Sequence, residues 1–224
     1  QQYKDDTVEC TCSEPTRWSA QAGQDKYLWE RVLKPQNLCC QGVYVEFGAL
    51  DGIHMSNTWA LEHFQGWKGL LANVDERHRL GARENRTRAD WIHGPICPRS
   101  ETNVTILLSK LQGWTGPANG YEPTRVHQGA YEKTFPCYYL ADELRKRGWN
   151  RVDYMTIDTE GSELSLVLDF PWDEFDIRIV QIEQLDERKY AAQKGRKQKS
   201  FDTWKAKGTS SYPCMPSTCT IRMT

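Results

Sequence analysis

The chain has 224 residues, 38% hydrophobic and 26% charged, with nine Trp, ten Tyr and six Phe. That aromatic content excludes a disordered chain, and the length suits one domain that buries about 70% of its unfolded surface. A formal charge of −1 and a pI near 6.6 supply no global field for nucleic acid or an anionic membrane, and no apolar run approaches the roughly 20 residues of a spanning helix.

Residues 1–18 carry Cys10 and Cys12 without an apolar period and read as a disulfide-stapled extension; 19–224 reads as a single domain. Apolar spacing predicts a helix over 22–33, ended by Pro35. The β-branched and aromatic run 42–48 is a strand that reaches glycine and then Asp51-Gly52. A helix over 56–64 follows with Ser56 as N-cap, then a strand over 69–74 and a charged helix over 75–85. Further strands are expected over 91–97 and 104–108, and a Gly- and Pro-rich loop over 113–131. After a helix over 139–147 come a strand over 152–157, a helix over 162–169, an apolar strand over 177–182 and a short final strand within 212–224. Between Arg188 and Lys207 lie eight basic residues interrupted by Tyr190, Phe201 and Trp204.

Cys10, Cys12, Cys39, Cys40, Cys97, Cys137, Cys214 and Cys219 are an even set with C-x-C, CC and C-x4-C spacings, which suit disulfides better than zinc. The vicinal Cys39 and Cys40 are expected to bond to different partners. Two sequons, Asn85-Arg86-Thr87 and Asn103-Val104-Thr105, add to the expectation of a glycoprotein that is secreted or held in the secretory-pathway lumen.

Strands alternating with helices argue for an α/β fold with a mostly parallel sheet covered on both faces, in which ligands bind beyond the carboxyl ends of the strands. Those ends carry Gly48, Asp51 and Gly52; Asn73 and Asp75; Ile92 to Gly94; Asp158, Glu160 and Glu163; and Glu183. The chain has neither G-x-G-x-x-G nor G-x4-G-K-[ST], so a ligand without a pyrophosphate fits better. Glu163 suits the first turn of a helix, whereas Asp158 at a strand end is not explained that way. With Glu183 at the next strand end, Asp158 can act as general base, hold a hydroxyl or bind a hard divalent cation.

The stretches 19–33 (SAQAGQDKYLWERVL), 42–74 (GVYVEFGALDGIHMSNTWALEHFQGWKGLLANV) and 138–184 (YYLADELRKRGWNRVDYMTIDTEGSELSLVLDFPWDEFDIRIVQIEQ), within a region of about residues 19 to 184, resemble the FkbM-type methyltransferases. The resemblance implies the class I S-adenosylmethionine-dependent fold, a Rossmann-like sheet of seven strands with an antiparallel last hairpin. It implies that Glu46, Gly48, Asp51 and Gly52 form the first cofactor loop with Ser56, Asn57 and Thr58 beneath, and that Asp158 and Glu160 line the meeting point of donor and acceptor. One position departs from the family pattern. Asn73 stands where a carboxylate usually takes both ribose hydroxyls, which forfeits a charge-assisted pair of about 1–3 kcal/mol. Asp75, two residues on, is the candidate substitute.

Two functions follow from these residues. One is a lumenal O-methyltransferase that acts on a hydroxyl acceptor, an anionic glycan if the basic segment folds over the strand ends, with Asp158 or Glu160 as base. His54 or His93 would assist, and Trp114, Trp172 and Trp204 would stack on sugars. The other is a secreted, non-catalytic binding or signalling protein whose cofactor crevice is lost. A divalent cation on Asp158 and Glu183 is a third element of the reading, and the sequence leaves the oligomeric state open.

Overall fold

The computed structural model describes residues 12–78, 84–108, 115–117, 130–183, 195, 199, 202, 210–211 and 218–222. Its first strands are Val43–Phe47 (β1), Lys68–Asn73 (β2), Ala89–His93 (β3), Asn103–Leu108 (β4), Thr115–Pro117 (β5) and Tyr131–Pro136 (β6). Then come Arg151–Val152 (β7), Tyr154–Ile157 (β8), Asp176–Ile177 (β9), Ile179–Glu183 (β10), Ser210–Ser211 (β11) and Thr218–Arg222 (β12). The α-helices are Gln24–Leu28 (α1), Trp59–Gln65 (α2), Leu140–Lys146 (α3) and Glu163–Asp169 (α4).

The central sheet runs β11-β12-β10-β8-β1-β2-β3. Five strands, β3, β2, β1, β8 and β10, are mutually parallel, and β12 lies antiparallel against β10. Ser210 and Ser211 of β11 pair antiparallel with β12 at the edge of the sheet, as the expected antiparallel hairpin requires. Alternation along the strands divides the core in two. Val45, Phe47, Met155, Ile157, Val180 and Ile182 face α3 and α4, where Leu140, Leu144, Leu166 and Val167 cover them. Tyr44, Leu71, Tyr154 and Ile179 face Leu28, Trp29, Val32 and Leu33 of the leading helix and Leu61 of α2.

Several elements differ from the sequence expectation for local reasons. Pro35 does not end the leading helix: α1 passes into a π turn at Trp29–Leu33 and a 3-10 turn at Lys34–Gln36, whose opening position tolerates the missing N–H, and Asn37 at φ 54 closes it. Thr58 is the N-cap residue of α2, yet the Ser56 hydroxyl still accepts from the Trp59 N–H at 3.1 Å. The strand expected over 91–97 is β3, stopped by Gly94-Pro95. The strand expected over 152–157 breaks at Asp153, whose carboxylate accepts the Val43 N–H at 2.9 Å, so β7 pairs with β9 while β8 joins the central sheet.

The strand over 104–108 belongs to no parallel sheet. It is the middle strand of an antiparallel β5-β4-β6 sheet inserted between β3 and α3, and β5 lies within the stretch expected to be a loop. Cys97 and Cys137 are bonded at its neck, and Ile96 pairs with Tyr138 beside them. Cys12 is bonded to Cys39, and Cys40 forms a separate disulfide, so the vicinal pair does divide between partners. The middle of the expected charged helix over 75–85, Trp114, Trp204 and nearly all of the basic segment lie outside the described residues, which include the 3-10 turn Glu76–His78.

Candidate functional site

The three central strands each place one polar residue at the same height on the face toward α1 and α2. Glu46 lies opposite Thr156, and Thr156 opposite Gln181. Two residues further along, at the carboxyl ends, the same face carries Gly48, Asp158 and Glu183. Below both rows lie Tyr44, Tyr154 and Ile179, so this face passes from apolar and aromatic, through a polar row that contains Glu46, to the strand-end acids at its open end.

Gly48 has a positive φ of 76°, and a Cβ there would lie 2.1 Å from the Asp158 carbonyl oxygen. Only glycine lets the two strand ends approach so closely. Beyond it the loop turns through Leu50 at φ 49, Gly52 at φ 78 and Met55 at φ 61. Asp51 closes the turn: its Oδ1 accepts the N–H groups of Ile53 at 2.9 Å and His54 at 2.7 Å, and its Oδ2 pairs with the His54 ring at 2.5 Å. Burial pushes the Asp51 carboxyl up, but the His54 ring and the two N–H donors outweigh it and hold the group below its ordinary value.

Beneath the loop is a buried ion cluster that the sequence reading missed. Arg86 is 1% exposed. It donates to Glu62 at 2.9 Å, the Gly52 carbonyl at 2.7 Å, Ser56 Oγ at 3.1 Å and Thr58 Oγ1 at 2.8 Å, and lies 3.9 Å from Glu46. Tyr44 donates its hydroxyl to Glu62, and its ring lies under the guanidinium. Burial disfavours the Arg86 charge, but the Tyr44 hydroxyl, Glu62 and Glu46 reverse that and raise its pKa. Glu46 accepts from the Asn57 N–H at 2.7 Å and from the Ser56 and Thr58 hydroxyls. Its carboxylate therefore shapes the loop from below. The Asn57 amide oxygen accepts from Gln181 at 3.4 Å, which ties the loop to β10.

The acidic row is built differently. Carboxylate oxygens of Asp158, Glu160 and Glu183 all lie within 4.8 Å of one another. Burial is the main cause that raises Asp158, to about 6, and Glu183 further, to about 11; like charges on each other and on neighbouring carboxylates add to it, although the hydrogen bond from Glu183 lowers Asp158. The two form one proton-sharing unit. Every charged group acting on the pair among the described residues is acidic. Glu183 Oε2 is buried without a hydrogen-bond partner of good geometry. Glu163 accepts the N–H groups of Thr159 at 2.9 Å and Gly161 at 2.9 Å, and so fixes the turn that carries Glu160 at φ 54.

At the end of β2, Asn73 donates its amide to the Leu50 carbonyl at 2.7 Å. A carboxylate could not make that bond. Asp75 is buried and grips Arg77 through both oxygens, Nε lying 2.8 Å and 2.9 Å away. Of the other expected contributors, Trp172 is a core residue whose indole N–H donates to the Val167 carbonyl at 2.8 Å, and His93 stacks on Trp91. Both sequon asparagines, Asn85 and Asn103, are exposed.

The Methyltransferase FkbM domain matches residues 47–206, most of the chain. This chain belongs to the FkbM methyltransferase family. Its fold is that of the class I S-adenosylmethionine-dependent methyltransferases. An O-methyltransferase from Bacillus cereus in complex with S-adenosylhomocysteine superposes with TM-score 0.50 at 11% identity, over 94% of this chain and 84% of that one. A precorrin-6y C5,15-methyltransferase from Geobacter metallireducens gives TM-score 0.45 at 8% identity, over 85% and 84%. Aeropyrum pernix fibrillarin with natively bound S-adenosyl-L-methionine gives 0.43 at 9% identity, over 82% and 67%. No curated protein matches the chain in sequence. In this FkbM member, the strand-end acids and the Gly48–Thr58 loop occupy the carboxyl edge where α/β sheets bind ligands.

Proposed function

We propose that this FkbM protein moves a methyl group from S-adenosylmethionine to a hydroxyl oxygen, with Asp158 as the base. The observation that carries this reading is the Asp158–Glu183 pair, which is acidic, half-buried and without a cation acting on it among the described residues. Such a pocket suits a cationic ligand, and the donor is cationic at both its sulfonium and its amino group. When bound, the donor supplies an electrophilic methyl carbon. Gly48, Asp51, Gly52 and Asn57 would hold it, with Glu46 acting from beneath through Asn57, Ser56 and Thr58. At the ribose end Asn73 offers Oδ1 alone, and Asp75 is engaged by Arg77.

Asp158 is suited to accept the acceptor's hydroxyl proton because its pKa, near 6, lies close to working pH, where a base is both free and strong enough. Glu160 and Glu183 orient the hydroxyl and share the proton. Three carboxyl groups with one shared proton leave net negative charge around the reacting oxygen and favour a neutral hydroxyl there, so any sulfate or uronate of a glycan acceptor would lie further out. The close approach of Asp158, Glu160 and Glu183 also supports a second reading, in which their oxygens hold a divalent cation that positions the acceptor. Two disulfides, a third bond at Cys40 and two exposed sequons support a secretory-pathway or extracellular location.

Calorimetric titration with S-adenosylmethionine and S-adenosylhomocysteine, with and without Mg²⁺, tests the reading. Micromolar binding is expected. Absence of binding under both conditions would favour the non-catalytic alternative, in which Asn73 and Asp75 mark a lost ribose site.

A further inference from the structure

The loop Gly48–Thr58 is strained. Leu50 and Met55 adopt left-handed φ values of 49° and 61°, conformations that residues with a Cβ keep only when their surroundings enforce them. Arg86 and Glu46 enforce the inner side. Along the outer side runs the segment from Cys12 to Ala20, anchored at six places. Cys12 is bonded to Cys39, and the Ser13 carbonyl accepts from Gln65 at 2.6 Å. Arg17 lies over the Trp59 ring at 4.8 Å, and Trp18 packs on Trp29 at 6.5 Å between centroids. Ser19 donates its hydroxyl to the Ile53 carbonyl, and Ala20 pairs in parallel with Met55. Asp25 fixes the strap's end by accepting the N–H groups of Ser19 at 2.6 Å and Ala20 at 3.0 Å.

We propose that residues 12–20 are a strap that sets methyl-donor affinity by bracing the strained Gly48–Thr58 loop from outside, with the Cys12–Cys39 bond as its far anchor. The inference rests on the reading of that loop as the donor site. Met55 makes the connection specific, because it is 46% exposed and so is not held in place by burial. The strap backbone at Ala20 is what it pairs with. Freed from Ala20, Met55 relaxes toward negative φ, and the turn from Asp51 to Asn57 opens. Donor binding must then first restore the bound loop shape, which lowers apparent affinity by the fraction of molecules still in it. Ser19, Ala20 and Met55 are thus positioning residues that act through the loop.

The test measures S-adenosylhomocysteine affinity by calorimetry, well below each variant's melting temperature, in wild type, in Cys12→Ser/Cys39→Ser, and in the same double variant with Met55→Gly. The double variant is expected to bind about tenfold more weakly, and Met55→Gly, which removes the left-handed penalty, to recover most of that loss. A purely structural staple would give a lower melting temperature with no rescue by glycine. Ser19→Ala, which removes one hydrogen bond and keeps both cysteines, is expected to weaken binding about threefold to fivefold and serves if the double variant does not fold. Wild-type binding with unchanged affinity in the folded variants, or a loss that Met55→Gly leaves in place, overturns the strap. Failure of wild type itself to bind overturns the donor-site reading, and the strap's function with it.

Discussion

Two acidic clusters share one face of the central sheet. Glu46 and Glu62 are buried beneath the loop, where a single guanidinium pairs with both and hydroxyl and N–H donors satisfy their remaining oxygens. Asp158, Glu160 and Glu183 stand one row higher, and among the described residues only other carboxylates act on the half-buried Asp158–Glu183 pair within them. The first cluster is complete within the protein. The second is stable only by keeping a proton, and becomes fully ionised and compensated when something cationic joins it. Acid residues alone therefore do not distinguish the two clusters; what does is that no cation acts on the Asp158–Glu183 pair among the described residues.

This contrast can be broken from either side. The largest effect is expected on the open cluster: Asp158→Asn should lower turnover on a hydroxyl acceptor by about 10²–10⁴-fold with an intact fold, and wild-type rate should rise with pH through about 6 as Asp158 ionises. Retained turnover in that variant would remove Asp158 from the chemistry. On the closed cluster, Arg86→Met leaves Glu46 and Glu62 buried without their cation and should cost about 3–5 kcal/mol in urea unfolding, the opposite distribution of damage.

A third test uses pH. Because the folded pKa values of Asp158 and Glu183 are raised, the folded state binds more protons than the unfolded one above the ordinary carboxylate range. Stability from this pair is thus greatest at acid pH and is lost as pH rises through about 6 and beyond. Glu183→Gln should melt higher than wild type at about pH 8, with the gap closing at about pH 4, as thermal scans would show. A smaller effect is expected at Asn73. An aspartate there would set an oxygen against the Leu50 carbonyl, so Asn73→Asp should weaken S-adenosylhomocysteine binding about threefold to tenfold despite restoring the family's acid. Tighter binding would mean that ribose contacts outweigh the loop bond.

The parallel strands, their helices and the acids at their ends were legible because β1, β8 and β10 are short, largely apolar runs that stop at glycine or a carboxylate. The inner polar row was legible too, in a form easily passed over. Glu46, Thr156 and Gln181 each interrupt an apolar run two residues before Gly48, Asp158 and Glu183, and a polar residue in a strand covered on both faces needs a partner. Arg86 was not legible, since it sits among other arginines with no periodicity, and only the folded chain brings it to Glu46 and Glu62. The β4–β6 sheet was missed for a related reason. Tyr131–Pro136 is mostly exposed, so its strand pairing leaves almost no hydrophobic alternation to read.

The neck of that small sheet bears on how this family member can diversify. Cys97 and Cys137 bring their Cα atoms to 5.5 Å, so whatever chain runs between them enters and leaves the domain at one point. Because closure entropy grows only slowly with length, the enclosed segment is free to lengthen, shorten or be exchanged without shifting β3 or α3. Changes of length in this peripheral sheet, which lies against Val74 and Glu76, can therefore leave the central sheet in place.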